Sequence, residues 1–107
     1  MTGPSPNFEI RESPSGGSLR LSLTGELDLA AAPKLEDRLA RLRVRKSPVR
    51  LDLSKLEFID STGIHLLIRT VGEARIKRWP FQIEPEVAPQ VMRVLRLVRL
   101  EHFVMGT

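Results

Sequence analysis

The 107-residue sequence contains no cysteine, no tyrosine and a single tryptophan. Without cysteine there are no disulfides, no thiolate metal ligands and no cysteine nucleophile, which fits a reducing compartment. So few aromatic residues disfavour a platform on which nucleic-acid bases stack. No apolar run approaches the roughly 20 residues of a membrane-spanning helix, and residues 1–10 lack the apolar segment of a secretory signal. We therefore expect a cytoplasmic protein that binds no membrane.

The composition is that of one small folded domain. Hydrophobic residues make up 41% of the chain and charged residues 28%, with a formal net charge of +4. A basic balance permits binding to nucleic acid, anionic lipid or an acidic protein, but the positive charges are spread along the chain without a dense run. We expect no direct nucleic-acid binding. The Pro, Ser and Gly content of residues 1–7 predicts a flexible N-terminus, followed by a folded domain over residues 8–107.

Alternating and helical patterns follow one another along the chain. Apolar and polar residues alternate at 8–11, 19–24 and 49–53, and residues 81–83 form a shorter apolar segment, so we expect four strands. Helical spacing begins at Pro33, near Thr62 and after Pro89, and Pro80 ends the second helix near Arg78. The apolar segment through Phe58 and Ile59 is expected to be buried.

This element order, β-β-α-β-α-β-α, predicts an α/β fold. The first two strands pair as an antiparallel hairpin, whereas strand–helix–strand crossovers give parallel neighbours. We therefore expect a mixed sheet of four strands, with five as the alternative, and helices packed mainly on one face.

The stretch FIDSTGIHLLI, residues 58–68, is where a buried segment turns into a helix. One interpretation is that Asp60 or Ser61 merely caps the helix by accepting its free N–H groups. The other is that the junction presents a serine to a partner. Gly63 in the first turn is unfavourable for a helix, by roughly 1 kcal/mol relative to alanine. It suits a place where another backbone or a large side chain approaches closely.

Three segments carry a resemblance to a known family. They are LTGELDLAAAPKLEDRL, VRLDLSKLEFIDSTG and APQVMRVLRLVRL, in that order along the chain. Together they resemble the STAS domain, and more narrowly a bacterial anti-sigma factor antagonist, over nearly the whole chain from Phe8 onward. The resemblance implies the same fold that the periodicity predicts.

In that family, a partner anti-sigma factor with kinase activity phosphorylates the serine of a D-S-[ST]-G motif, which corresponds to Ser61. The resemblance places Asp28, in the ELD segment, near this serine on the partner-binding surface. It implies that the unphosphorylated protein binds the anti-sigma factor and releases the sigma factor, and that phosphorylation ends this binding. A phosphatase is a further candidate partner, and we expect a monomer or a weak dimer. The expected partner-binding residues are Asp28, Asp60, Ser61, Thr62, Gly63 and His65.

Other functional classes are less well supported by the residues. A fixed STAS interaction subunit of a transport or signalling assembly is the main alternative. A hydrolase that uses Ser61 and His65 as nucleophile and base would lack a G-x-S-x-G elbow. We expect no enzyme activity, no cofactor and no metal site, since the two histidines, without cysteines, form no ligand pattern. The arginines at 93, 96 and 99 are interpreted as a solvated helix face, with an anionic docking surface as the alternative.

Overall fold

The first two strands form an antiparallel hairpin in the computed structural model, which describes residues 7–106. Strand β1 is Phe8–Ser15 and strand β2 is Ser18–Leu27. The two-residue loop between them consists of Gly16 and Gly17, whose φ angles are 53° and 86°. Tight hairpin loops favour positive φ at both central positions, which glycine adopts without a steric penalty. The predicted antiparallel hairpin is therefore confirmed.

The remaining elements continue the predicted order. They are α1 (Ala32–Val44), β3 (Val49–Ile59), α2 (Ser61–Lys77), β4 (Phe81–Ile83), α3 (Pro89–Leu97) and α4 (Glu101–Met105). The strand order is β1-β2-β3-β4, and β3 is parallel to both β2 and β4. Among the described residues the sheet has four strands, so the five-stranded alternative is not realised. Helix α4, which buries Val104, follows the last element of the predicted order.

The sheet has one apolar and one polar face. Leucines of β2 and β3 that are fully buried build the apolar face: Leu21, Leu23, Leu51 and Leu53. Fully burying one such side chain contributes roughly 1.5–3 kcal/mol. The helices cover this face with Leu35, Leu39, Leu67, Val91 and Leu95, all buried. On the other face Ser22 and Asp52 are half-exposed and hydrogen-bonded to each other at 3.2 Å. The α/β class and the one-sided helix packing are thus confirmed.

The C-terminal end of β3 departs from the prediction. The strand continues to Ile59, which is buried, but the side chain of Phe58 is 50% exposed. The pairing register with β2 shifts before Phe58, so that Phe58 lies opposite Glu26. Because successive strand residues point to opposite faces, Phe58 lies on the polar face while Ile59 joins the core. The expectation that Phe58 is buried is therefore wrong.

The predicted domain boundary lies near Asn7. Residues 1–6 and 107 are outside the described residues, so the proposed flexible segment 1–7 falls almost wholly there. The carbonyl of Asn7 accepts a hydrogen bond from the backbone N–H of Glu26 at 2.8 Å. Gly25 makes this approach possible, because its φ is +91° and a Cβ there would lie 1.5 Å from the Asn7 oxygen. Within the described residues Asn7 therefore already contacts the sheet, and the domain boundary itself stays a prediction.

Candidate functional site

The candidate site forms where two parallel strands end side by side. Leu27 at the end of β2 lies opposite Ile59 at the end of β3. Asp28 and Asp60 each follow one of these residues directly. The loops that leave the carboxyl ends of parallel strands commonly build binding sites in α/β folds. The sheet register therefore brings together two segments that the sequence separates by about thirty residues.

Asp60 caps helix α2 and also binds the neighbouring loop. Its Oδ1 accepts a hydrogen bond from the backbone N–H of Gly63 at 3.0 Å, and its carbonyl accepts one from Ile64 at 3.0 Å. Its Oδ2 accepts the backbone N–H of Leu29 at 3.1 Å. The capping interpretation is therefore correct for Asp60, whose two carboxylate oxygens both serve the fold.

Gly63 allows the first turn of α2 to pack closely on the ends of β2 and β3. A Cβ at this position would lie 2.7 Å from both Ile59 Cγ1 and the carbonyl oxygen of Leu27. The sequence-based expectation of a close approach is confirmed, and the approaching groups belong to the chain itself. Gly63 is buried, so its part in partner binding, which stays a prediction, would be to shape the helix start.

Ser61 is the first residue of α2 and faces solvent. Its hydroxyl makes no hydrogen bond within residues 7–106, and the residue is exposed. His65 and Arg69 follow at intervals of four residues, a spacing that puts all three side chains on one helix face. All three are exposed, whereas Thr62, rotated by about 100°, is half-buried. The two interpretations of this junction therefore apply to different residues. Asp60 caps the helix, and Ser61 exposes its hydroxyl to solvent.

Asp28 stabilises the turn that leads into α1. Its Oδ1 accepts the backbone N–H of Ala31 at 2.9 Å, and its carbonyl accepts the N–H of Ala32 at 2.8 Å. The side chain is half-buried, and its second carboxylate oxygen makes no hydrogen bond within the described part of the chain. Asp28 therefore has a structural role that the sequence did not reveal. Its expected role in partner binding stays a prediction, in which the second carboxylate oxygen would contact the partner.

Two exposed apolar residues next to the site were missed from the sequence. Leu29 is 72% exposed and Phe58 is 50% exposed. Leu29 is bound through its backbone to Asp60, and Phe58 precedes Asp60 by two positions at the end of β3. The exposure of Leu29 could have been predicted from its position in the loop just after the end of a strand. No local pattern indicated the exposure of Phe58. Exposed apolar residues beside a polar site are typical of protein-binding surfaces.

The hydrolase interpretation of Ser61 and His65 depends on contact between their side chains. Ser61 and His65 share a helix face, but no hydrogen bond joins them. No group of three histidine, aspartate or glutamate residues within 7–106 could hold a metal ion. None of the helices in this range has the length and apolar character needed to cross a bilayer. The site is best described as a solvent-facing surface around one exposed hydroxyl.

The chain matches a family model and is similar to proteins of bacteria. A family model described as "Mlab, STAS domain" matches residues 10–106. The anti-sigma-B factor antagonist of Bacillus subtilis (strain 168) is 19% identical over 98 residues, which cover 92% of this chain and 89% of that protein.

Three solved structures are similar to the chain in fold. An anti-sigma factor antagonist from Mycobacterium paratuberculosis has a TM-score of 0.76 and 28% identity, over 94% of this chain and 86% of that one. The anti-sigma factor antagonist SpoIIAA, in its unphosphorylated form, has a TM-score of 0.69 and 18% identity, over 87% of this chain and 83% of that one. The phosphorylated form of SpoIIAA from Bacillus has a TM-score of 0.66 at 18% identity, over 87% and 84% of the two chains. At 18% identity the likeness shows the shared fold.

Proposed function

The chain belongs to the STAS-domain family, and from this membership we propose that its unphosphorylated form binds an anti-sigma factor and thereby releases a sigma factor. The anti-sigma factor is proposed to be a serine kinase that phosphorylates Ser61, which ends the binding. A phosphatase would restore the unphosphorylated form. Such a switch would operate in the cytoplasm, with the chain acting as a monomer or weak dimer.

One observation carries the proposal: Ser61 is exposed at the first position of a helix whose cap is supplied by its neighbour. Both carboxylate oxygens of Asp60 are occupied by backbone N–H groups, so the helix start does not need the serine hydroxyl. A kinase could therefore take the Ser61 side chain into its active site without unfolding the domain. The relative that is 28% identical is an anti-sigma factor antagonist, which supports the proposal that this chain binds an anti-sigma factor.

A phosphate on Ser61 would be compatible with the fold but not with a partner shaped for a neutral hydroxyl. It adds about −1.5 to −2 charge, and the N–H groups of a helix N-terminus favour an anion. Towards the partner, the phosphate would add to the negative charges of Asp28 and Asp60. Unmatched like charges in an interface cost several kcal/mol, and each ~1.4 kcal/mol is a tenfold change in affinity. We therefore expect phosphorylation to lower the affinity for the anti-sigma factor about 100-fold or more.

The proposed partner surface has apolar as well as polar parts. Leu29 and Phe58 can be buried against the anti-sigma factor, and the apolar area removed from water would favour binding. Ser61 and His65 lie on the exposed face of α2 and would determine which partner fits. Since His65 is bulky and precedes Arg69 on that face, it would favour a partner with a matching hollow.

We further propose that the chain has no catalytic activity of its own. The purified protein should hydrolyse neither esters nor nucleotides above background, and it should not phosphorylate itself with ATP. Turnover that disappears in Ser61→Ala would contradict this proposal, because it would make Ser61 a nucleophile.

The experiment combines the purified chain with each purified anti-sigma factor of the source organism, with and without ATP. Complex formation is measured by size-exclusion chromatography, and the phosphorylated residue is identified by peptide mass spectrometry. We expect one anti-sigma factor to bind, and to release the chain after ATP has led to phosphorylation at Ser61.

The control variants are Ser61→Ala and Thr62→Ala. The Ser61→Ala variant should bind the anti-sigma factor and stay bound in the presence of ATP. The Thr62→Ala variant should be phosphorylated and released like the chain without a substitution. Phosphate on Thr62, or undiminished phosphorylation of Ser61→Ala, would show that the assignment is wrong. Binding that ATP never changes would instead favour a fixed interaction subunit.

A further inference from the structure

Helix α3 borders a groove far along the chain from the Ser61 surface. The groove has a volume of about 600 Å³. Its lining residues, which define the α3 groove, are Val87, Pro89, Met92, Arg93, Arg96 and Leu97. Within α3 the helical members recur at intervals of three and four residues, so they form one continuous strip along the helix. The buried residues Val91 and Leu95 lie on a different side of α3.

The α3 groove offers apolar surface that nothing in the described chain covers. Val87 and Met92 are half-buried and pack against the core, whereas Leu97 is 76% exposed. Val98, which directly follows the last residue of α3, is 48% exposed. An exposed leucine beside half-buried apolar side chains can bury a large apolar side chain of another molecule.

The charged residues that line the α3 groove are arginines. Arg93 is exposed and forms no ion pair within residues 7–106. Arg96 is held by Glu101 at 3.2 Å but keeps 65% of its side chain exposed. Arg99, just beyond the helix, is also exposed. Among residues 7–106, no aspartate or glutamate lines the groove, so the charges of its lining favour a negatively charged occupant.

We infer that the α3 groove binds an acidic segment of a partner protein that carries large apolar side chains. Arginines beside an apolar strip match carboxylates beside apolar residues, which pair with them through charge-assisted hydrogen bonds. The phosphates of nucleic acid would use the arginines but leave Leu97 without a contact. A flat lipid surface would reach the exposed Leu97 but not the half-buried Met92. The acidic protein segment is the occupant that uses both parts of the groove.

This surface is separate from the one proposed to bind the anti-sigma factor. None of the residues that line the α3 groove belongs to the Ser61 site. Binding at the α3 groove should therefore not depend on the phosphorylation state of Ser61. It would allow the chain to contact a second protein, or a second segment of one protein.

The test uses a synthetic 12-residue peptide rich in glutamate, with two leucines four positions apart, added to the ¹⁵N-labelled full chain. We expect backbone amide shifts in residues 87–98 and weak binding, with a Kd of about 0.1–1 mM for so small a surface. Peptides with lysine replacing glutamate, or serine replacing leucine, should bind at least about tenfold more weakly. No shifts at several millimolar peptide, or equal binding of the lysine peptide, would overturn the inference.

Variants of the chain localise the effect. Arg93→Glu and Leu97→Ser should each weaken binding of the glutamate peptide about tenfold or more. Arg45→Glu and Ile76→Ser are the matched controls, because Arg45 is exposed and has no ion pair with another described residue, and Ile76 is 82% exposed. If the control substitutions weakened peptide binding as much as Arg93→Glu and Leu97→Ser do, the peptide would not be bound at a defined site. Tighter binding of phosphatidylglycerol vesicles or duplex DNA to residues 87–98 would assign the groove to those ligands instead.

Discussion

The carboxylate of Asp60 accepts the backbone N–H of Leu29 at 3.1 Å and so joins two segments that are 31 positions apart in the chain. The same carboxylate caps helix α2 through Gly63. One side chain therefore determines where the loop after β2 lies relative to the helix that carries Ser61. The exposed apolar side chain of Leu29 is held beside the helix start by this bond.

Asp60→Ala should destabilise the domain by about 1–3 kcal/mol. Loss of a helix N-cap costs about 0.5–2 kcal/mol. Loss of the hydrogen bond to the N–H of Leu29 adds about 0.5–1 kcal/mol. Asp60→Asn should lose less, because the amide oxygen can still accept one bond. The measurement is the free energy of unfolding in urea. Glu57→Ala, at an exposed site, is the control, and a loss no larger than in that control would show that the cap is unimportant.

Gly63→Ala should be strongly unfavourable, whereas Gly72→Ala should be neutral or stabilising. At Gly63 a Cβ would meet Ile59 and the Leu27 backbone at 2.7 Å, so we expect a loss of at least about 1–3 kcal/mol. At Gly72, in the same helix, the nearest outside atom is 4.0 Å away, and alanine gains up to about 1 kcal/mol in a helix. Thermal unfolding of both variants checks this, and equal stabilities would contradict the packing argument.

Asp28 has a structural and a proposed binding role, and two substitutions separate them. Asp28→Asn keeps an oxygen that can accept the N–H of Ala31, so stability should stay within about ±0.5 kcal/mol. Asp28→Ala removes that oxygen and should cost about 1 kcal/mol. If Asp28 also contacts the anti-sigma factor, the asparagine variant should bind it more weakly. A stable Asp28→Asn variant with normal binding would leave Asp28 only its structural role.

Ser61→Asp should keep the fold and lose the partner. A carboxylate in the first turn interacts favourably with the helix dipole, typically by 0.3–1 kcal/mol, so the unfolding free energy should stay the same or rise. Binding to the anti-sigma factor should fall at least about tenfold, because the charge partly imitates a phosphate. Calorimetric titration measures the binding, with Ser61→Ala as the neutral control. Equal affinities of the two variants would contradict a charge-based switch.

Asp52 should make stability depend on pH in the acid range. Burial acts to raise the pKa of this carboxyl, but hydrogen bonds from Ser54 and Ser22 and the charge of Arg20 together lower it below its usual 3.8. Because folding lowers this pKa, the ionised Asp52 contributes to the stability of the folded domain above pH 3.8. That contribution is lost as the pH falls through the pKa of Asp52 in the folded state.

The matching variant is Asp52→Asn, which keeps the hydrogen-bond acceptor but not the charge. It should be less stable than the parent by about 0.5–1 kcal/mol near neutral pH, with the difference vanishing in strong acid. Urea unfolding of both proteins across the acid range measures this. A difference that grows as the pH falls would have the wrong sign and would refute the assignment.

Local chemistry explains what the sequence determined by itself. The element order followed from the spacing of apolar residues, and the leucines of β2 and β3 entered the core as their alternation predicted. The helix start at Asp60 was readable because a cap and the N–H groups it binds lie within three residues of each other. The need for glycine at position 63 was likewise visible as a conflict with helix propensity.

Only the tertiary structure decided which groups meet across the chain. The bond between Asp60 and Leu29, the groups that crowd Gly63, and the α3 groove all depend on the packing of distant segments. Phe58 illustrates the reason most clearly, since a shift in the pairing of β3 with β2 turns it out of the core. Strand register is set by the partner strand, and a one-residue shift moves a side chain to the opposite face of the sheet.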